Sequence, residues 1–260
     1  PVIDQNFIAG NSAQVAGGIL VMNDNRSAIT NNRISGNTAA QFGGGIHLVD
    51  SNAQVAGNQI LDNQAGDKGG GVVILNQAPT LSNNLISRNR AVDEGAGLWI
   101  SNAQPTVRYN TIVENGRREG GDGIMLAPGA APLLLYNAIV GNDYGIRSGS
   151  AQPGQSVGNA LFDNLLGNYN GAVPPGPTDL LVDPQFVRGP LGPYYLAQTA
   201  AGQASTSPLI DAGGETAAAL GLHQRATRTD GAPDQGMADI GFHYDILPGK
   251  AFLPLVHATR

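Results

Sequence analysis

Acidic residues recur at a fixed interval in the middle of this chain. Asp67, Asp93 and Glu119 are spaced 26 residues apart, with Lys68, Glu94, Arg117, Arg118 and Asp122 around them. If that interval is one turn of a coil, the three carboxylates stack ~5 Å apart and repel by about 1 kcal/mol per neighbour in water, and by several times that if partly shielded. Two arrangements would offset the repulsion. A Ca²⁺ ion could bridge adjacent turns through oxygen ligands, which makes Asp67, Asp93 and Glu119 the metal candidates. Alternatively Lys68, Arg117 and Arg118 simply screen a solvated ledge, where exposed pairs contribute about 0–1 kcal/mol.

A second column comes from the strand-like stretch that follows each glycine cluster: Leu20, His47, Val73, Trp99, Met125 and Arg147. These residues should face outward. Soluble rods rarely leave such a stripe uncovered, so either the Pro-rich C-terminal segment packs over it or it serves as a platform. In the second case the ring of Trp99 could stack on a pyranose face, with His47 and Arg147 as further substrate-binding candidates. Two other matches carry little. "GQSVG" (154–158) fits a nucleophile elbow but has no strand-to-helix context, and His47, His223, His243 and His257 lack zinc spacing.

The elements that must position these columns are set by the repeat. The motif QNFIAGN at Gln5 returns as NNRISGN, GNQILDN, NNLISRN, YNTIVEN, YNAIVGN and GNALFDN. Its leading asparagines, Asn6, Asn32, Asn58, Asn84, Asn110, Asn137 and Asn159, step by 26, 26, 26, 26, 27 and 22 residues. Each period carries three apolar stations of period-two character, joined by Gly and Asn corners. That predicts an all-β, right-handed parallel β-helix with about 26 residues and three strands per coil. About six coils stacked at ~4.8 Å would make a rod roughly 30 Å long. Helical repeats need amphipathic stretches of about 10–12 residues, which the corners leave no room for. Leucine-rich repeats need a Leu-x-x-Leu-x-Leu order that is absent. The column Gly18, Gly45, Gly71, Gly97, Gly123 and Gly145 is expected at a corner of positive φ, and Asn11, Asn37, Asn63, Asn89, Asn115, Asn142 and Asn164 at another, with their amides bonding up and down the stack.

Bulk properties narrow the partners. A net charge of −6, with basic residues scattered, argues against nucleic acid. The absence of cysteine excludes disulfides and thiolate metal sites. No apolar run is long enough for a membrane span. The chain opens at Pro1 with the repeat already under way at Gln5, which suggests a processed N-terminus and leaves a first coil without cover. Self-association through the coil ends, or through the apolar tail FLPLV (252–256), is therefore expected.

The rungs N-x-I-x-x-N followed by G-G-I resemble the parallel β-helix repeats of the pectate-lyase-like superfamily over about residues 5–165. The later segments DPQF, YYL, SPLIDAGG and DGAPDQGMADIGFHY resemble the C-terminal part of secreted bacterial β-helix proteins of the choice-of-anchor type. The resemblance implies export and an extracellular or cell-surface address. It also implies what a catalytic version would use: Ca²⁺ beside a basic residue that removes a proton next to a uronate carboxylate, with Lys68, Arg117 and Asp93 as candidates. The organisation expected is a parallel β-helix over 1–165, a Pro/Gly-rich cap over 166–245 and an apolar tail over 246–260. The chain reads as an exported β-helix with a structural, adhesive or carbohydrate-binding role toward a polysaccharide or surface glycan, rather than as an enzyme. The alternative is a Ca²⁺-dependent lyase or another carbohydrate-active enzyme acting on acidic polysaccharide.

Overall fold

The computed structural model describes residues 1–116, 121–149 and 154–246. The period in the sequence becomes a stack of coils. Three parallel sheets of seven strands each run from the first coil to the last. The first sheet goes from Val2–Asp4 to Gln155–Val157, the second from Phe7–Ala9 to Ala160–Phe162, and the last from Ile19–Met22 to Gly167–Gly171. A four-stranded sheet joins them, made of the two-residue strands Ser12–Ala13, Thr38–Ala39, Gln64–Ala65 and Arg90–Ala91. The first four coils thus carry a short strand beyond the three expected. Two residues after the second Asn are extended there, which was too little chain for any alternation to be seen.

Register never slips between coils. Ile34 pairs with Ile8 and Ile60, and Ile86 with Ile60 and Ile112, so every inward position sits above its own equivalent. Ile34, Ile60, Ile86, Ile112 and Ile139 are fully buried, as are Ile46, Val72, Leu98 and Ile124 in the last sheet. A one-residue slip would turn each of these to solvent, so the burial itself fixes the register.

Two buried asparagine ladders run beside this core. Asn84 shows the pattern: its backbone N–H and its Nδ2 both donate to Oδ1 of Asn110, at 2.8 and 2.9 Å, while Nδ2 also reaches the carbonyl of Val55 at 2.9 Å. Asn37, Asn63, Asn89 and Asn115 repeat it in the second ladder. The backbone reason differs from the one expected. The left-handed conformation falls not on these asparagines but on the residue before each, as at Asn31, Asn83, Tyr109, Asp62, Arg88 and Glu114. The glycine column differs in the same way. Gly45, Gly71 and Gly97 have ordinary φ, and a Cβ there would lie 2.6, 2.6 and 2.4 Å from the carbonyl of the glycine in the next coil. Close approach of backbones requires glycine at these positions, while positive φ is taken two residues earlier by Gly43, Gly69 and Gly95.

The chain forms two compact units. The first is Pro1–Pro184 with Ile240–Phe242, and the second is Gln185–Asp239 with the stretch that begins at His243. Within the first unit, Ile240–Phe242 is seated against the outer face of the second sheet, where the Phe242 N–H donates to Thr111 Oγ1 at 2.9 Å. The second unit holds an antiparallel hairpin, Phe186–Gly189 with Gly192–Leu196, and a stacked pair of rings, Tyr195 and Tyr244, 4.0 Å apart.

Candidate functional site

The corner loops leading into the last sheet gather the charged residues of the coils that carry Asn58, Asn84 and Asn110. Asp67 and Asp93 lie one above the other, since the Asp93 N–H donates to the Asp67 carbonyl at 2.9 Å. Lys68 stands between their side chains, with Nζ 2.7 Å from Asp93 and 3.1 Å from Asp67. The bond to Asp93, foremost, raises the ammonium above its ordinary value. An ammonium thus lies between the two carboxylates and offsets part of their charge. Arg117, Arg118 and Glu119, the remaining members of that ledge, lie outside the described residues.

One position further along, Glu94 pairs with Lys68 in an isolated parallel bridge and links the ledge to the outer face of the last sheet. The Trp99 indole N–H approaches Glu94 Oε2 at 3.4 Å, and Arg147 lies 3.7 Å from Oε1. Arg147 is held by Asp122, with Nε to Oδ1 at 2.7 Å and Nη2 to Oδ2 at 2.8 Å, and its guanidinium lies over the Tyr144 ring at 5.8 Å. Asp122 is fully buried and also accepts the Gly95 N–H at 3.1 Å. Burial raises its carboxyl above the usual range and the bond to Arg147 opposes that, while Asp122 in turn raises the guanidinium. Such a bidentate pair fixes the direction in which Arg147 presents its remaining donor. Trp99 and Arg147, two members of the outward column, therefore meet through Glu94 and Asp122. Neither carboxylate was singled out for this from the sequence, although both stand around the acidic column there.

His47 does not join them. It lies two coils from Trp99 and four from Arg147, its neighbours in register are Leu20 and Val73, and the edge of Phe42 faces its ring. Both imidazole nitrogens are buried without a hydrogen-bond partner, and burial alone pushes the ring's pKa down to about 4. His47 is thus a neutral core side chain rather than an exposed sugar contact. Val73 and Met125 of the same column are also buried, whereas Trp99 and Arg147 are half-buried. Ser156 of GQSVG has a structural task, donating to Asp179 at 2.6 Å.

A family described as periplasmic copper-binding protein (NosD) matches residues 2–176, more than half of the chain. The chain belongs to the NosD family. No curated protein and no solved structure matches it. The NosD match spans all the coils, so copper has to be tested against the donors they carry. The chain has no cysteine, and residues 2–176 hold one histidine and two methionines. The histidine is His47, which has only Leu20 and Val73 beside it in register; Met22 lies level with Val49, and Met125 with Trp99 and Arg147. Copper sites draw on several imidazole or sulfur donors converging on one point. The described donors of the solenoid do not converge, so this NosD chain does not fit copper there.

One further group of ligand-type side chains lies in the second unit, beyond the NosD match: Asp234, Asp239 and His243, all buried, with candidate atoms within 4.8 Å of one another. Their valences serve the fold. His243 Nε2 is 2.8 Å from Asp234 Oδ2, which also accepts the Asp239 N–H at 3.0 Å; Asp239 accepts the Asp211 N–H at 2.8 Å and bonds Thr227 Oγ1. Burial first, and the neighbouring Asp234 second, raise the Asp239 carboxyl above its usual range. This network explains why the segment DGAPDQGMADIGFHY carries acids and a histidine: they bond its turns together.

Proposed function

We propose that this chain is an exported solenoid that binds a glycan on the ledge beside Trp99 and does no chemistry on it. The observation that carries the reading is the half-buried Trp99 ring flanked by Glu94 and the Asp122-held Arg147. An apolar ring face bordered by fixed acceptors and donors is the combination a pyranose needs, since its C–H face is apolar and its rim is hydroxylated. Export is supported by the periplasmic setting in the family's name; among the described residues no helix is long and apolar enough to cross a membrane. The lyase reading is weaker, because Lys68 is engaged between Asp67 and Asp93 and a base must be free to take a proton.

Trp99 is the only tryptophan in the chain, so its emission reports on the site directly. Titration with soluble polysaccharides should shift or quench that emission, and Trp99→Ala should abolish binding measured by calorimetry while leaving the melting temperature nearly unchanged. Unchanged emission across neutral, acidic and amino-sugar polymers would refute the reading. Release of unsaturated sugar, followed near 235 nm with Ca²⁺ present, would refute its non-enzymatic part.

A further inference from the structure

Resting on the glycan reading above, we infer that the ligand is an uncharged, hydroxyl-rich glycan strand that crosses from Trp99, along the coil that holds it, into a second site. That site is the groove beneath Asp62, Arg88 and Glu114.

The groove encloses about 510 Å³, lies in the same coils as the ledge, and has Gln64, Arg90 and Gly116 among its lining residues. Its size falls within the range of roughly 300–1,000 Å³ typical of small-ligand sites. Its charges balance, with two arginines against two carboxylates. Arg88 clasps Asp62 through both ends, Nε to Oδ1 and Nη2 to Oδ2, each at 2.9 Å, so donors and acceptors are presented together in fixed positions. Paired groups of this kind suit neighbouring hydroxyls, which donate and accept at once.

The corner position before the second asparagine is Gly10, Gly36 and Gly141 in other coils and Asp163 beyond the groove, whereas in the coils that line the groove it is Asp62, Arg88 and Glu114. Charged side chains therefore stand one above another along the groove.

The path from the groove to Trp99 is continuous. Arg90 lines the groove, Val92 follows with 71% of its surface exposed, and then come Asp93 and Glu94, the latter touching Trp99. From Arg90 to Glu94 the chain spans at most about 13 Å at ~3.3 Å per residue, and less because it bends at Val92 and Asp93. Charge selects among glycans along it. Among the described residues of the ledge, Asp67, Asp93, Glu94 and Asp122 stand against Lys68 and Arg147, and each of these cations is already paired to a carboxylate. Beside these groups a uronate would meet an excess of negative charge.

The test uses the whole chain and oligosaccharides of two to six units: neutral β-glucan, xylan and mannan series, a galacturonan series and a glucosamine series, followed by Trp99 emission and calorimetry. At least one neutral series should tighten by about tenfold or more with length, as a second linked contact is made. The double variant Gln64→Ala/Arg90→Ala, exposed on the surface, should remove that gain and leave the disaccharide signal unchanged. Short sugars that quench Trp99 with no gain from length, or a gain that survives the double variant, would overturn the crossing strand while leaving the glycan reading intact. Galacturonan or glucosamine oligomers binding as tightly as the neutral ones would overturn the uncharged class. No response to any series would overturn both.

Discussion

The two ends of the solenoid stop their asparagine ladders differently. At the far end, the last ladder asparagines have no further Asn to bond, and other side chains stand in. Asp179 Oδ1 accepts the Asn159 N–H at 2.8 Å, while its Oδ2 accepts from Ser156 at 2.6 Å and Tyr169 at 2.5 Å; Asn168 takes the amide of Asn164 at 2.8 Å. The strand edge is covered too, with the Leu161 N–H donating to the Leu180 carbonyl. At the first coil Asn6 turns its amide back onto the Asp4 carbonyl, and Val2, Phe7, Leu20 and Met22 are 73%, 70%, 46% and 53% exposed. Each ladder amide donates to the coil that follows, so Asn6 is already bonded to Asn32 Oδ1 and a substitute acceptor is needed only at the far end, where Asp179 and Asn168 supply it.

The largest effect that this comparison predicts lies between the ends. Asn84→Ala removes one rung: the buried Asn58 N–H loses its acceptor, the Asn58 amide keeps only the Ile29 and Ala56 carbonyls, and the Val55 carbonyl and Asn110 Oδ1 lose the Asn84 amide. We expect a loss of about 3–5 kcal/mol in urea unfolding, against less than about 1 kcal/mol for Asn6→Ala on the open coil. Equal losses would mean that the ladders do not act as continuous columns. Next comes the cap. Asp179→Ala should cost about 2–3 kcal/mol and raise amide exchange in the coils that carry Asn137 and Asn159 before any other. Protection lost first around Asn32 instead would show that the open end governs local unfolding.

A smaller, pH-dependent effect belongs to the open end. His47 sits one coil in, with its pKa lowered to about 4 from an unfolded value of about 6.5. Between those values the unfolded chain binds the proton and the folded one does not, so stability rises with pH through that window and is lost as pH falls. His47→Leu should flatten that part of the stability profile and stabilise the protein by about 1 kcal/mol or more near pH 7, because two unpaired buried nitrogens disappear. An unchanged profile would place the titration elsewhere. The smallest effect concerns association. Copies are expected to meet through the first coil, so mass by light scattering should rise with concentration, and Phe7→Lys should suppress the rise with almost no change in melting. A monomer at every concentration would defeat that expectation. The FLPLV tail, the other proposed donor, lies outside the described residues.

Much of this was legible in sequence for a simple reason. In a stacked coil every inward position sees its own equivalent above and below, so a constraint on one residue is repeated every 26 residues and stands out against neutral variation. The Ile column, the Asn ladders and the glycines were visible that way, although the cause of the glycines was mistaken. Sequence shows that Gly45 and Gly71 are needed; it does not show that the next coil's carbonyl is what forbids a Cβ there. The pairing of Lys68 with Asp67 and Asp93 could be suspected from spacing alone. The groove at Asp62, Arg88 and Glu114 could not, because a charged residue at a corner looks like any solvated side chain until its neighbours in the adjacent coils are known.

The sequence by itself determined the fold class, the coil length, the register and the identity of the inward columns, because those depend on periodicity and on burial, which composition at fixed spacing encodes. Tertiary structure alone decided which outward residues meet. Trp99 reaches Arg147 through Glu94 and Asp122, His47 is sealed away from both, and Asp179, twenty residues beyond Asn159, closes the last rung. These outcomes depend on side-chain reach across coils and on where single loops turn back, and both occur once in the chain, with no repetition to reveal them.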